Sequence, residues 1–156
     1  RIIMDKKQQL RQIIKEEVKK VIAEGTRAII GVEAPNGRIV GVYNHYDGYP
    51  QHAGKMLKKY YNKPNDVKDL IKLGKNGISF LDKSMKGGKD HSFANPKDGE
   101  TIFYGRDRGE KGNMTQKYRD RGSIKHDMGA DYFYIYNMKD RKWQYQPHGS
   151  DEWKDV

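Results

Sequence analysis

The sequence predicts an α+β domain: an antiparallel sheet of about five strands with two or three helices packed on one face, preceded by an amphipathic N-terminal helix. Three observations point there. Two pairs of strand-like runs are each joined by a tight turn, which favours antiparallel neighbours. Two segments with helical apolar spacing follow the first pair. A length of 156 residues suits one core, and 11 Tyr, 4 Phe and 2 Trp supply bulky apolar area although only 35% of the chain is hydrophobic.

Residues 1–24 are expected to form a separate helical segment and 25–156 the domain. Leu10, Ile13, Ile14, Val18, Val21 and Ile22 recur at helical spacing, and Gly25 is a natural stop. This stripe is expected to pack on the domain or on a second subunit. Arg27–Glu33 and Arg38–Asn44 read as a hairpin around Ala34-Pro35-Asn36-Gly37. Pro50 starts a helix that lines Ala53, Met56, Leu57, Tyr60 and Tyr61 on one face. A second helix from Pro64 to Leu73 buries Val67, Leu70 and Ile71. Residues 83–99, with Gly87-Gly88, Pro96, Gly99 and four Lys, read as a mobile loop. Thr101–Tyr104 is a short strand, and 105–129 is polar and glycine-rich. Asp131–Asn137 and Lys142–Gln146 form the second hairpin. Tyr132, Tyr134 and Tyr136 share one of its faces, where packing is favoured over base stacking; Phe133 and Ile135 share the other.

The net charge is +10, unevenly placed: residues 1–63 carry 13 Lys/Arg against 6 Asp/Glu, and 64–156 carry 18 against 15. Such a field favours polyanions or phosphorylated molecules. The absence of Cys excludes disulfides and thiolate metal sites and fits a reducing compartment. No apolar run approaches membrane-spanning length, so no membrane partner is expected.

Two segments about sixty residues apart carry the most pointed chemistry: His45-Tyr46-Asp47-Gly48-Tyr49-Pro50 and Phe103-Tyr104-Gly105-Arg106-Asp107-Arg108-Gly109-Glu110. Arg106 and Arg108 suit phosphate oxygens, and the flanking glycines admit close backbone approach. Asp107 or Glu110 suits ribose or base donors. Tyr46, Tyr49 or Tyr104 suits a base, with His45 adding a hydrogen bond. The structural reading of the same residues is a self-neutralising Arg/Asp cluster and an Asp47-Gly48 turn. His45 and Asp47 would share a face of a continuing strand, with His52 one turn into the next helix, a set suited to acid–base work. With no second carboxylate at a ligand spacing, no metal is expected, nor any cofactor. No nucleophile sits in a triad setting, and no Walker-type loop is present. His91, His126 and His148 read as solvated. Arg106-Asp107-Arg108-Gly109 recurs as Arg119-Asp120-Arg121-Gly122, a match short enough to arise by chance.

Gly25-Thr26-Arg27 before a strand, the two motifs, Gly54-Lys55-Met56-Leu57 between them and the Tyr-rich hairpin together resemble a family of small uncharacterised phage and prophage proteins over roughly residues 25–146. The resemblance implies a viral context, and hence the host cytoplasm or the virion, but transfers no catalytic residues. The leading expectation is a non-enzymatic phage accessory protein that binds a phosphorylated nucleotide, with a counter-defence sponge as its role. General DNA or RNA binding stays open. The alternatives are a phosphoesterase or nuclease using His45, Asp47 and His52, and a virion or assembly component docked through residues 6–24 onto a virion or host protein. The apolar stripe also makes a homo-oligomer an expectation.

Overall fold

The computed structural model describes residues 5–124 and 129–156, with residues 16–25 as helix backbone only. Helix α1 spans Lys6–Gly25 and opens on a capping box: Asp5 accepts the Gln8 N–H at 2.8 Å, and the Gln8 side chain accepts the Asp5 N–H. Leu10, Ile13 and Ile14 are more than half exposed. The front of the stripe therefore does not pack on its own domain.

The first hairpin forms as expected from β1 (Ala28–Glu33) and β2 (Ile39–Tyr46), with Gly37 at φ +86° in the turn. Pro50–Gly54 makes a π-helical turn that runs into α2 (Lys55–Tyr60), and α3 spans Pro64–Leu73. A 3-10 turn at Gly74–Asn76 leads to β3 (Ile78–Phe80); β4 (Ile102–Phe103), α4 (Tyr104–Arg108) and β5 (Thr115–Tyr118) follow. After a 3-10 turn at Arg121–Ser123, β6 (Tyr132–Asn137) and β7 (Lys142–Pro147) form the second hairpin, and β8 (Lys154–Asp155) closes the edge.

The α+β character holds, but the expected five-stranded antiparallel sheet does not. Among the described residues the sheet has eight strands in the order β4-β3-β2-β1-β6-β7-β8, with β5 beside β2, and there are four α-helices. It is mixed: β1 pairs with β6, and β2 with β3, in parallel. The two hairpins are thus joined at β1, whose apolar run is buried on both faces, a pattern suited to a central strand with a parallel neighbour. The far edge of β2 is divided, its first half paired with β5 and its end with β3. β3, β5 and β8 escaped the sequence reading because two to four residues cannot show a period, and Thr-Gln-Lys-Tyr of β5 offers no apolar alternation.

Helices α2 and α3 cover one face. Ala53, Leu57, Tyr61, Val67 and Leu70 pack there on Ala28, Ile30, Val42, Tyr134, Tyr136 and Trp143. Tyr134 and Tyr136 are fully buried, with their hydroxyls donating to the carbonyls of Gly48 and Asn62 at 2.6 and 2.9 Å. The tyrosines are packed, as favoured. Ile29, Ile39, Tyr43, Phe133 and Ile135 form a second cluster on the opposite face.

Residues 83–99 are an irregular loop, as expected, and are tethered to the domain. Ser84 bridges Glu100, the Gly87 N–H donates to Glu100 at 2.8 Å, and His91 is buried. His91 is therefore not solvated. His148 is exposed, and His126 lies outside the described residues.

Candidate functional site

The first motif turns a corner. β2 carries His45 and Tyr46 to its end, and Asp47 then adopts φ +52°, a left-handed conformation that Asp tolerates better than most residues. Gly48 lies flat on the start of β1, where a Cβ would come within 2.9 Å of the Ala28 side chain. Its N–H donates to the Thr26 carbonyl at 3.0 Å. Gly25-Thr26-Arg27 and the first motif thus meet. His52 Nε2 donates to the Leu81 carbonyl at 2.6 Å, and its ring stacks on Phe80 at 4.7 Å.

This corner separates the residues of the acid–base alternative. The expected shared face of His45 and Asp47 is lost because the strand ends between them. His45 Nδ1 is instead 2.6 Å from the Tyr43 hydroxyl. Burial pushes the Asp47 carboxyl up, against the pull of His52. Among the described residues no hydrogen bond joins His45, Asp47 and His52, and no three His, Asp or Glu side chains are grouped to hold a metal.

Most of the second motif is consumed by the fold. Phe103 is core, and Gly105 sits where any Cβ would collide with the Asn76 amide. Gly109 ends α4 in the left-handed conformation at φ +80°. Asp107, its side chain 4% exposed, accepts from the Phe103 N–H at 2.8 Å, from Arg106 Nε at 2.9 Å and from His91 Nε2 at 3.2 Å. His91 Nδ1 accepts the Lys97 N–H at 3.1 Å, which leaves Nε2 as the ring nitrogen that donates to Asp107. Burial raises the Asp107 carboxyl, but the hydrogen bonds from Arg106 and Phe103 and the Arg106 charge outweigh it and hold it below its ordinary range. Arg106 also donates to the carbonyls of Met85 and Thr101 and lies over the Phe103 ring. Arg106 and Asp107, expected to touch ligand, are engaged with each other; the Asp107 side chain is buried, whereas that of Arg106 keeps 26% exposure. Arg108, two residues on, has rotated by roughly 200° around a helix; it is 51% exposed and lies 4.6 Å over the Phe93 ring.

A strip of partly exposed rings, with Tyr46 and Arg108 exposed at its ends, joins the two motifs. The Tyr46 ring meets His45 edge-on at 4.3 Å, His45 meets Tyr104 at 6.4 Å, and Tyr104 meets Phe93 at 5.7 Å, with Arg108 at the far end. Tyr46 is 37% exposed. Burial and then the nearby Arg27 charge keep the His45 pKa below its ordinary value, so this imidazole is neutral at neutral pH. Arg27 Nε is buried without a hydrogen-bond partner. Glu110 pairs with Arg108 at 3.3 Å, both half exposed, an ion pair that a ligand displaces at little cost. Tyr49 lies off the strip, toward His52. The sequence reading missed Phe93, Arg27 and Tyr43. Phe93 had a signal, as the lone Phe, Tyr or Trp of a polar loop; the other two are placed by strand register.

Comparison with known proteins finds no matching family model, no matching curated protein and no matching solved structure. No helix among the described residues is long and apolar enough to cross a membrane.

Proposed function

We propose that this is a non-catalytic phage accessory protein that binds a phosphorylated nucleotide ligand along the strip from Tyr46 to Arg108. The observation that carries it is the ring contact between His45 and Tyr104, which brings the two motifs onto one surface. Tyr46 and Tyr104 offer flat faces to bases, Arg108 takes phosphate in place of Arg106, and Glu110, once released, accepts from a ribose hydroxyl. The strip is elongated, which favours a ligand with more than one base, such as a short or cyclic oligonucleotide. The basic charge speeds its capture. The phage setting and the sponge role rest on the resemblance of the motifs. Calorimetric titration against cyclic and linear mono- and oligonucleotides tests the function. Binding should weaken at least about tenfold in Tyr46→Ala and Arg108→Ala, the loss expected of one stacked base or one charge-assisted bond. Binding nowhere in the panel rules the function out.

The exposed Leu10, Ile13 and Ile14 favour a second reading, in which α1 docks the domain onto a virion or host protein or onto a second copy. Deleting residues 1–24 should then abolish incorporation into particles while the remainder stays folded. Unchanged incorporation excludes the virion role.

A further inference from the structure

A cavity of about 700 Å³ opens between α3 and residues 83–86, on the helix-covered side of the sheet, within the range of small-molecule sites. None of the strip residues lines it. Its apolar surface comes from Tyr60, Leu73 and Met85. Lys72, Lys83 and Lys86 bring positive charge, and Asp66 and Asp69 lie on the α3 wall, three residues apart and so on one helical stripe. Among the described residues none of these five charged side chains belongs to an ion pair.

The irregular wall is held in place. Arg106 grips the Met85 carbonyl from behind, with the Thr101 carbonyl shared at 3.2 Å. Gly87 presses so closely on the guanidinium that a Cβ would stand 3.1 Å from Arg106 Cζ. Ser84 is fixed in both directions: its N–H donates to Gly99 at 3.0 Å, and its carbonyl accepts the Thr101 N–H at 2.8 Å. The Tyr61 hydroxyl, pushed up to about 12 chiefly by burial, donates to the Asp82 carbonyl and also meets Thr101 Oγ1 at 2.9 Å. A wall tethered at successive residues is preorganised, which lowers the cost of ordering it around a guest.

We propose that this cavity is a second binding site, for a single nucleoside phosphate, distinct from the strip. The three uncommitted amines receive the phosphate oxygens, Tyr60, Leu73 and Met85 receive the flat base, and the two carboxylates accept from ribose hydroxyls or an exocyclic amine. A bare phosphate would leave most of the volume and the apolar surface unused. Arg106 thereby gains a role away from the ligand, as the residue that holds the wall.

The full chain is titrated calorimetrically with adenosine diphosphate, adenosine and inorganic phosphate. Saturable binding of the diphosphate, at least about tenfold tighter than either fragment, is expected from combined base and phosphate contacts. Lys83→Ala/Lys86→Ala, two exposed changes checked for an unaltered urea midpoint, should weaken it at least about tenfold. Tyr46→Ala/Arg108→Ala should leave it unchanged. No binding of the diphosphate, equal binding of inorganic phosphate, an unaffected lysine double variant, or a loss confined to the strip variant overturns the assignment. Failure here leaves the oligonucleotide titration of the strip standing, and the reverse.

Discussion

The tetrapeptide Arg-Asp-Arg-Gly occurs twice, and its two copies do opposite things. In the first, on α4, the acid turns inward and the leading Arg106 folds over it: Asp107 is the hub for Arg106, His91 and the Phe103 N–H, while Arg108 is left to the surface. In the second, which leaves β5 for a 3-10 turn, the leading Arg119 is outward, 82% exposed, and Asp120 caps its own turn through the Ser123 N–H at 2.9 Å. There the trailing Arg121 turns inward. It grips Glu33 with Nε at 2.9 Å and Nη2 at 3.0 Å, donates to Gln144 at 2.7 Å, and lies 4.7 Å over Trp153. In each copy one arginine both pairs with a largely buried acid and lies over an aromatic ring: Arg106 with Asp107 and Phe103, Arg121 with Glu33 and Trp153. The backbone conformation beneath, helical or extended, selects which arginine does which. An identical string therefore carries no fixed role.

The contrast is broken most directly at the acids. Asp107→Ala strands Arg106, the His91 Nε2 and the Phe103 N–H, and should cost about 2–4 kcal/mol, the upper part of that range reflecting its three donors and the lower part the partial exposure of Arg106. It should also speed amide exchange through residues 84–101. A urea midpoint near wild type would show that the hub is decorative. Arg121→Met leaves the Glu33 carboxylate with Asn137 alone at 2.6 Å. Its partial exposure reduces the expected loss to roughly 2–3 kcal/mol. Adding Glu33→Gln should restore part of that loss in a double-mutant cycle.

The pH dependence sharpens the same point. Burial raises Glu33, but hydrogen bonds from Arg121 and Asn137 and the Arg121 charge bring it below its ordinary value of 4.5, as Asp107 lies below 3.8. The folded state thus binds fewer protons than the unfolded chain in this range. Stability from both pairs is complete above those ordinary values and is lost as pH falls through the depressed ones. Denaturant midpoints measured from pH 5 down to about pH 2 should fall less steeply in Asp107→Asn and in Glu33→Gln than in wild type. Asp47, raised by burial, contributes with the opposite sign. Arg119→Ala should give the smallest effect, no measurable change in midpoint, since its pair with Asp120 is exposed. A clear loss there would erase the difference between the copies.

Much of the local structure was legible in the chain. The Pro35-Asn36-Gly37 turn, Pro50, the apolar periods of α2 and α3, and the alternation of Tyr132, Tyr134 and Tyr136 each act within a few residues, so the sequence states them directly. The candidate site was half legible. Tyr46, His45, Tyr104 and Arg108 stand on one surface, whereas Arg106 and Asp107, for which the sequence offered both a ligand and an ion-pair reading, pair with each other. A string of charges does not say which of them finds a buried partner, because the partners His91, Thr101 and Met85 come from a loop with no period of its own.

By itself, then, the sequence determined which short segments bend, coil or extend, because dihedral preferences and side-chain spacing are properties of neighbours. Tertiary structure alone decided that β6 returns beside β1 in parallel and that β3 and β5 divide the far edge of β2. It also decided which arginine of each repeat finds a largely buried acid. Those choices rest on backbone hydrogen bonds and desolvated ion pairs between residues as far apart as Glu33 and Arg121, and no local pattern encodes a partner at that distance.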